Sequence, residues 1–201
     1  MHFLVAFCFL FGISSTVTQR CKRQVPENRH GIQPIVITNK AEAVQQSNLK
    51  KTLPVLSPEW EVELNLTIHA NHVNTGIQDG HWCSVLHMTI GDELGSHGDR
   101  TPAIYHYKVD GKIWLFSSVG NDFDHSFNRL IEFNSQYYIK ISQRYKNGGV
   151  YEYSIEINGE KVHAVDNLKA RQFYGVKVYL GDPWNAPCVA TISDMKILNF
   201  L

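Results

Sequence analysis

The sequence predicts an all-β protein, an antiparallel β-sandwich of Greek-key or jelly-roll type. Three observations carry the prediction. Apolar and polar residues alternate through several segments, most plainly in Trp60, Val62, Leu64, Leu66 and Ile68 against Glu59, Glu61, Glu63, Asn65 and Thr67. Glycine-containing reversals stand between such segments at Asp110-Gly111, Lys146-Asn147-Gly148-Gly149 and Asn158-Gly159. Finally, no stretch of the domain keeps a helical period, apart from one candidate turn near Ser126 to Phe133.

Taken in order, residues 1–18 carry little charge, run apolar from Phe3 to Ile13 and then turn small and polar, the pattern of a secretory signal peptide. Small Thr16 and Thr18 favour cleavage after Thr18, with cleavage after Ser15 as an alternative. The apolar run is shorter than the ~20 residues a membrane span needs, so a soluble, extracellular protein is expected. Residues 19–57 read as an irregular tail or propeptide-like linker. Pro26, Pro34 and Pro54 punctuate the segment, Asn39 to Lys51 is polar, and only Ile35-Val36-Ile37 or a short helix near Ala41 to Gln46 offers an element. The folded domain is expected over 58–201.

Within it, the opening strand buries the Trp60 to Ile68 face and turns its glutamates to water. That wet face holds the sequon Asn65-Leu66-Thr67, so a glycan on Asn65 would be tolerated. A two-residue loop at Asp110-Gly111 places Tyr107 opposite Trp114 and Tyr105 opposite Phe116, which puts four aromatics on one face of a central hairpin. The other face carries Ile104, His106, Ile113 and Leu115, so both are largely apolar. Tyr137 to Arg144 and Tyr151 to Ile157 make a second hairpin. The Asn158-Gly159 turn then sets Glu156 opposite Lys161 and Ile155 opposite Val162. Val176, Val178 and Leu180 form a strand before the loop Gly181 to Pro187. In the closing segment, Ile192, Met195 and Ile197 break parity, which predicts a bulge.

Composition sets limits on function. Lysine and arginine total 19, aspartate and glutamate also 19, so no net field draws the protein to nucleic acid or to an anionic membrane. Cys8 would leave with the signal peptide. Cys83 and Cys188 lie within or beside predicted strands and are expected to pair in an oxidising compartment. Cys21 is then left over. It could link two copies, be removed at the dibasic Lys22-Arg23, or remain a free thiol.

The order of these features resembles the concanavalin A-like lectin/glucanase superfamily, and within it laminin-G-type secreted modules. The likeness rests on Pro-Glu-Trp-Glu-Val-Glu-Leu (58–64), Gly-Asp-Arg-Thr-Pro-Ala-Ile-Tyr (98–105), Tyr-Tyr-Ile-Lys-Ile-Ser-Gln (137–143), Tyr-Ser-Ile-Glu-Ile-Asn-Gly-Glu (153–160), Gly-Asp-Pro-Trp (181–184) and Ala-Thr-Ile-Ser-Asp-Met-Lys-Ile (190–197). It is one of pattern and spans about Pro58 to Asn199. It implies two antiparallel sheets, one of them curved, with a glycan or protein ligand on a sheet face or at the loop rim. Glucanases of the superfamily carry acidic residues at alternate positions of a mid-chain strand. Glu59, Glu61 and Glu63 alternate but open the domain, and they read as a solvated edge that deters strand pairing. The residue set by which galectins hold galactose has no match around Tyr105 to Phe116, nor does the legume-lectin metal cluster.

Asp92, Glu93 and Asp99 lie in an acidic loop and offer oxygen ligands of the kind calcium takes, although such loops are commonly just solvated turns. The ten histidines show no zinc-binding spacing. No other cofactor is implied. For Tyr105, Tyr107, Trp114 and Phe116, two arrangements are open: a platform on which sugar rings stack, with Trp184 and Asn185 at its rim, or filling of the sandwich core, the arrangement favoured for bulky aromatics. The function expected is that of a secreted, non-enzymatic recognition module for a glycan or an extracellular protein. A structural component of extracellular matrix or mineralised secretion is the first alternative, and a divergent glycoside hydrolase the second.

Overall fold

The computed structural model describes residues 31–70, 80–91 and 95–201. The signal segment, Cys21, Lys22-Arg23, Asp92 and Glu93 lie outside the described residues. Thirteen strands succeed one another in the described chain: β1 (Ile35–Thr38), β2 (Glu42–Ala43), β3 (Leu49–Leu56), β4 (Trp60–Ala70), β5 (Trp82–Thr89), β6 (Ala103–Tyr107), β7 (Lys112–Val119), β8 (Asp122–Leu130), β9 (Gln136–Asn147), β10 (Val150–Ile157), β11 (Glu160–Asn167), β12 (Phe173–Tyr179) and β13 (Val189–Asn199).

They form two antiparallel sheets. One runs β1-β13-β4-β9-β10-β11, with β2 also paired to β13, and the other runs β3-β12-β5-β6-β7-β8. The sandwich core lies between them, where Val62, Leu64, Leu66, Ile139, Ile141 and Ile155 of the first sheet meet Leu86, Met88, Ile104, Ile113, Leu115 and Val178 of the second. Alternation therefore predicts the core-facing set of β4 and β9 correctly. The fold is the expected all-β jelly-roll-like sandwich, and no described residue is helical. The candidate helical turn near Ser126 to Phe133 is instead largely strand β8.

Residues 35–56 are not a tail. β1 closes one sheet against β13, and β3 forms the edge of the other along β12. Between them Val44 is buried, and Gln45 N donates to Leu180 O at 3.1 Å. Of the polar residues that suggested a linker, Lys50 and Lys51 belong to the edge strand β3, whose inward Leu53 and Leu56 are only 1% and 0% exposed.

The reversals differ in how well local sequence predicts them. Asn158 and Gly159 both have positive φ (53° and 79°), as a two-residue I′ loop requires, and Glu156 does face Lys161. A bulge then pairs Ile155 with His163 in place of Val162. At Asp110-Gly111 only the glycine has positive φ (69°), and the loop holds four residues, so Tyr105 faces Trp114 and Tyr107 faces Lys112. The shift from the expected register is two residues, which keeps every side chain on its expected face. The predicted bulge in β13 occurs between Ser193 and Lys196, with Asp194 at φ 53°.

β4 also differs from the expected outer strand, because it lies between β13 and β9. Its glutamates are not a wet edge. Glu61 and Glu63 are 0% and 3% exposed, with Lys140 and Arg144 at 3.4 and 3.6 Å from Glu61 and Lys196 at 2.7 Å from Glu63. In a central strand, long basic side chains from both neighbours fold over the carboxylates and remove them from water. Asn65 sits on the same outer face, half-buried, its Nδ2 donating to Asp194 Oδ2 at 3.0 Å.

A disulfide joins Cys83 to Cys188 across a Cα separation of 4.9 Å, as expected. It closes a sequence separation of 105 residues, worth about 4–5 kcal/mol in the chain-entropy model. Next to it, Ser84 N donates to Ala186 O and Cys188 N to Ser84 O, which lays the segment before β13 along β5.

Candidate functional site

The hairpin β6–β7 has two apolar faces, and the fold uses them differently. Ile104, Ile113 and Leu115 enter the sandwich core. Ala103, Tyr105 and Phe116 form a separate cluster on the opposite side of the sheet, with Trp82 and Trp114 packed against it. The aromatics therefore do not fill the sandwich core. They build a second apolar layer outside it, because β5 adds Trp82 to the same face and no second sheet among the described residues covers that side.

A cleft of about 410 Å³ opens on this layer, lined by Trp82, Arg100, Tyr105, Trp114, Phe116, Asp124, Ser126 and Asn185. Trp114 and Phe116, two residues apart on one strand, hold their rings nearly parallel at 16° with centroids 6.0 Å apart. Trp82 stands edge-on to both, at 5.5 and 6.1 Å. The guanidinium of Arg100 lies 5.1 Å from the Phe116 ring centroid and 5.7 Å from that of Tyr105, and it pairs with Asp124 of β8. Trp114 Nε1 is buried and has no hydrogen-bond partner among the described residues.

Beneath the cleft, a buried polar network fixes the platform. The Tyr105 hydroxyl lies 3.1 Å from His87 Nδ1 and donates to Asp182 Oδ2 at 3.2 Å. His87 Nδ1 is itself 3.0 Å from that carboxylate oxygen, and its Nε2 donates to the Asp99 carbonyl at 2.8 Å. Asp182 Oδ1 accepts from the backbone N–H groups of Trp184 and Asn185 at 2.9 and 2.7 Å. Burial alone would raise the Asp182 pKa, but the hydrogen bond and charge of His87, with the bonds from Asn185 and Ser84, hold it below the usual carboxylate value. The loop that carries Asn185 is thereby tied to the strand that carries Tyr105.

Of the residues proposed from sequence, Tyr105, Trp114, Phe116 and Asn185 meet at the cleft. Tyr107 does not line it, and packs on Trp82 at 4.4 Å. Trp184 also turns away, against His87 and Tyr179 at 5.5 and 6.0 Å. Asp99 of the calcium candidate is 2% exposed and accepts from Gly95 N at 3.2 Å, so it braces its own loop. No group of three metal-ligating side chains gathers among the described residues. Sequence reasoning missed Trp82, Arg100, Asp124 and Ser126. Trp82 had a signal, since it opens a strand beside the aromatic hairpin. The pairing of Arg100 with Asp124 had none.

Solved structures share this fold at low identity. They include the binding domain of botulinum neurotoxin serotype D (TM-score 0.53, 14% identity, 84% of this chain and 43% of that one). The serotype G binding domain is similar too (0.51, 12%, 85% and 44%), as is a heptameric SAP-like pentraxin from Limulus polyphemus (0.47, 14%, 80% and 70%). The chain spans less than half the length of the two neurotoxin domains. No protein-family model matches the sequence, and no curated protein does. The described chain is a jelly-roll-like β-sandwich with an aromatic cleft on its six-stranded sheet.

Proposed function

We propose that the protein is a secreted, concanavalin A-like recognition module of laminin-G type that binds a glycan in the cleft of its six-stranded sheet. The observation that carries this reading is the aromatic layer itself, placed outside the sandwich core and left open beside polar groups. Flat apolar faces suit the C–H faces of a pyranose, while Arg100, Asp124, Ser126 and Asn185 suit its hydroxyls. A buried indole N–H without a partner costs about 1–3 kcal/mol, and a ligand oxygen reaching Trp114 Nε1 would recover it.

Binding without turnover is the preferred mode. Glycoside hydrolysis ordinarily needs two carboxyl groups across the scissile bond. Among the described residues lining the cleft Asp124 alone is acidic, and Arg100 neutralises it. The glutamates of β4 belong to the other sheet.

A glycan array probed with the purified, processed protein is the test. Specific binding that Trp114→Ala weakens at least tenfold, the loss of about 1.4 kcal/mol or more, is the expected result. A folded protein that binds no glycan on the array would overturn the reading in favour of a structural role in the extracellular matrix.

A further inference from the structure

Among the described residues β8 is one edge of the six-stranded sheet, opposite its β3 edge, and β11 is one edge of the other. Where these edges approach, His125 Nε2 lies 2.9 Å from His163 Nε2, with the rings stacked at 30°. Phe127 stacks on His163 at 5.4 Å, and Arg129 reaches Glu160 at 3.6 Å. Alternate residues of the same strand, Asp124 and Ser126, line the cleft. β8 thus presents its cleft wall on one face and its contacts with β11 on the other.

A nitrogen-to-nitrogen contact of this length needs one N–H and one lone pair. It tolerates a neutral pair or a singly protonated one. Once both rings are protonated, two N–H groups and two positive charges confront each other. Little nearby offsets this. Asp122 Oδ2 is 3.9 Å from His125 Nδ1 but 58% exposed, and Arg129 and Glu160 are already paired. Tyr153 stands edge-on to both rings, and burial keeps its phenol neutral by pushing its pKa far up. On β11 Lys161 turns to Glu152 on the outer face.

We propose that His125 and His163 form a pH-sensitive clasp between these edges of the two sheets. It holds β8, and with it the Asp124 and Ser126 wall of the cleft, in place at neutral pH and releases it on mild acidification. The consequence for ligand binding rests on the cleft reading; the clasp itself does not. In support, burial and then the charge of His125 lower the pKa of His163. A lowered folded-state value means that the unfolded chain binds the proton more readily, so stability falls as pH drops through the ordinary imidazole value near 6.5.

Hydrogen exchange of the processed chain, without ligand and with a chelator present, tests this at about pH 7.5 and about pH 5 after correction for intrinsic rates. Protection in β8 and β11 should be lost in large part at the lower pH, while that of β4 and β9 holds. His163→Phe keeps a ring on Phe127 but carries no proton, and should abolish the difference. His125→Phe serves the same purpose where the first variant folds poorly. Unchanged β8 protection between the two pH values, or full pH dependence retained in either variant, would overturn the clasp. Because the readout needs no ligand, failure to bind glycan sinks the cleft reading alone, and a pH-insensitive β8 in a glycan-binding protein sinks the clasp alone.

Discussion

Tyr105 and Asp182 lie 77 residues apart in sequence, and the phenol of one donates to the buried carboxylate of the other at 3.2 Å. This contact connects the floor of the cleft to its rim loop. Asp182→Ala would leave buried His87 without the carboxylate 3.0 Å from its Nδ1, the nearer of two, and free the Trp184 and Asn185 loop. A loss of about 3–5 kcal/mol is expected in denaturant unfolding. The lowered Asp182 pKa gives this term a definite pH dependence. It is fully present above the ordinary carboxylate value of about 3.9 and is lost as pH falls through the lower, folded-state value. The acid limb of the stability curve should therefore flatten in Asp182→Asn, and an unchanged limb would refute the assignment.

Arg100 separates binding from folding. Its ion-pair partner Asp124 has a side chain 40% exposed, so removing the cation strands no buried charge. Arg100→Ala should alter unfolding free energy by about 1 kcal/mol or less, while glycan affinity falls about tenfold with the loss of the cationic wall. Calorimetric titration beside a thermal melt reads both quantities.

Glu61 and Glu59 occupy the same face of one chain segment with unequal burial. The side chain of Glu61 is 1% exposed beneath Lys140 and Arg144, and that of Glu59, also paired to Arg144, is 20% exposed. Glu61→Ala should destabilise by about 3–5 kcal/mol because basic groups packed over it lose their counter-charge. Glu59→Ala should cost about 1 kcal/mol or less. Equal losses in chemical denaturation would show that burial does not govern these pairs.

The segment before residue 58 is part of the sandwich, so a chain beginning at Pro58 should not fold stably. It would bare β12 along its β3 edge and open the core beneath Leu53 and Leu56. Gly181→Ala probes the same contact within the full chain. At φ +90° a Cβ would stand 2.2 Å from the Gln45 carbonyl oxygen, which cannot yield without shifting backbone. Loss of soluble protein, or a melting temperature many degrees lower, is the expected readout for both.

Much of the fold was legible locally. Side-chain parity along β4, β9 and β10, the paired positive-φ residues at Asn158-Gly159 and Gly148-Gly149, and the union of Cys83 with Cys188 all follow from neighbouring residues and chain chemistry. β3 was not legible, since an edge strand with one buried face and a proline looks like linker until β12 is beside it. The same holds for Glu61. Alternation marks it as facing away from the core, and only the flanking strands decide whether that face is wet.

The candidate site divides along the same line. Tyr105, Trp114 and Phe116 share a face because residues two apart in a strand must, and a register error of two residues leaves that unchanged. Whether that face or its apolar opposite enters the sandwich could not be read from a hairpin with two hydrophobic sides. Packing of β5 and β12 against the other sheet decided it, and contacts between distant segments then brought Arg100, Asp124 and Asn185 to the aromatic layer. Period and turn chemistry act between neighbours in the chain, whereas the choice of buried face and the convergence of a site depend on which remote surfaces exclude water together.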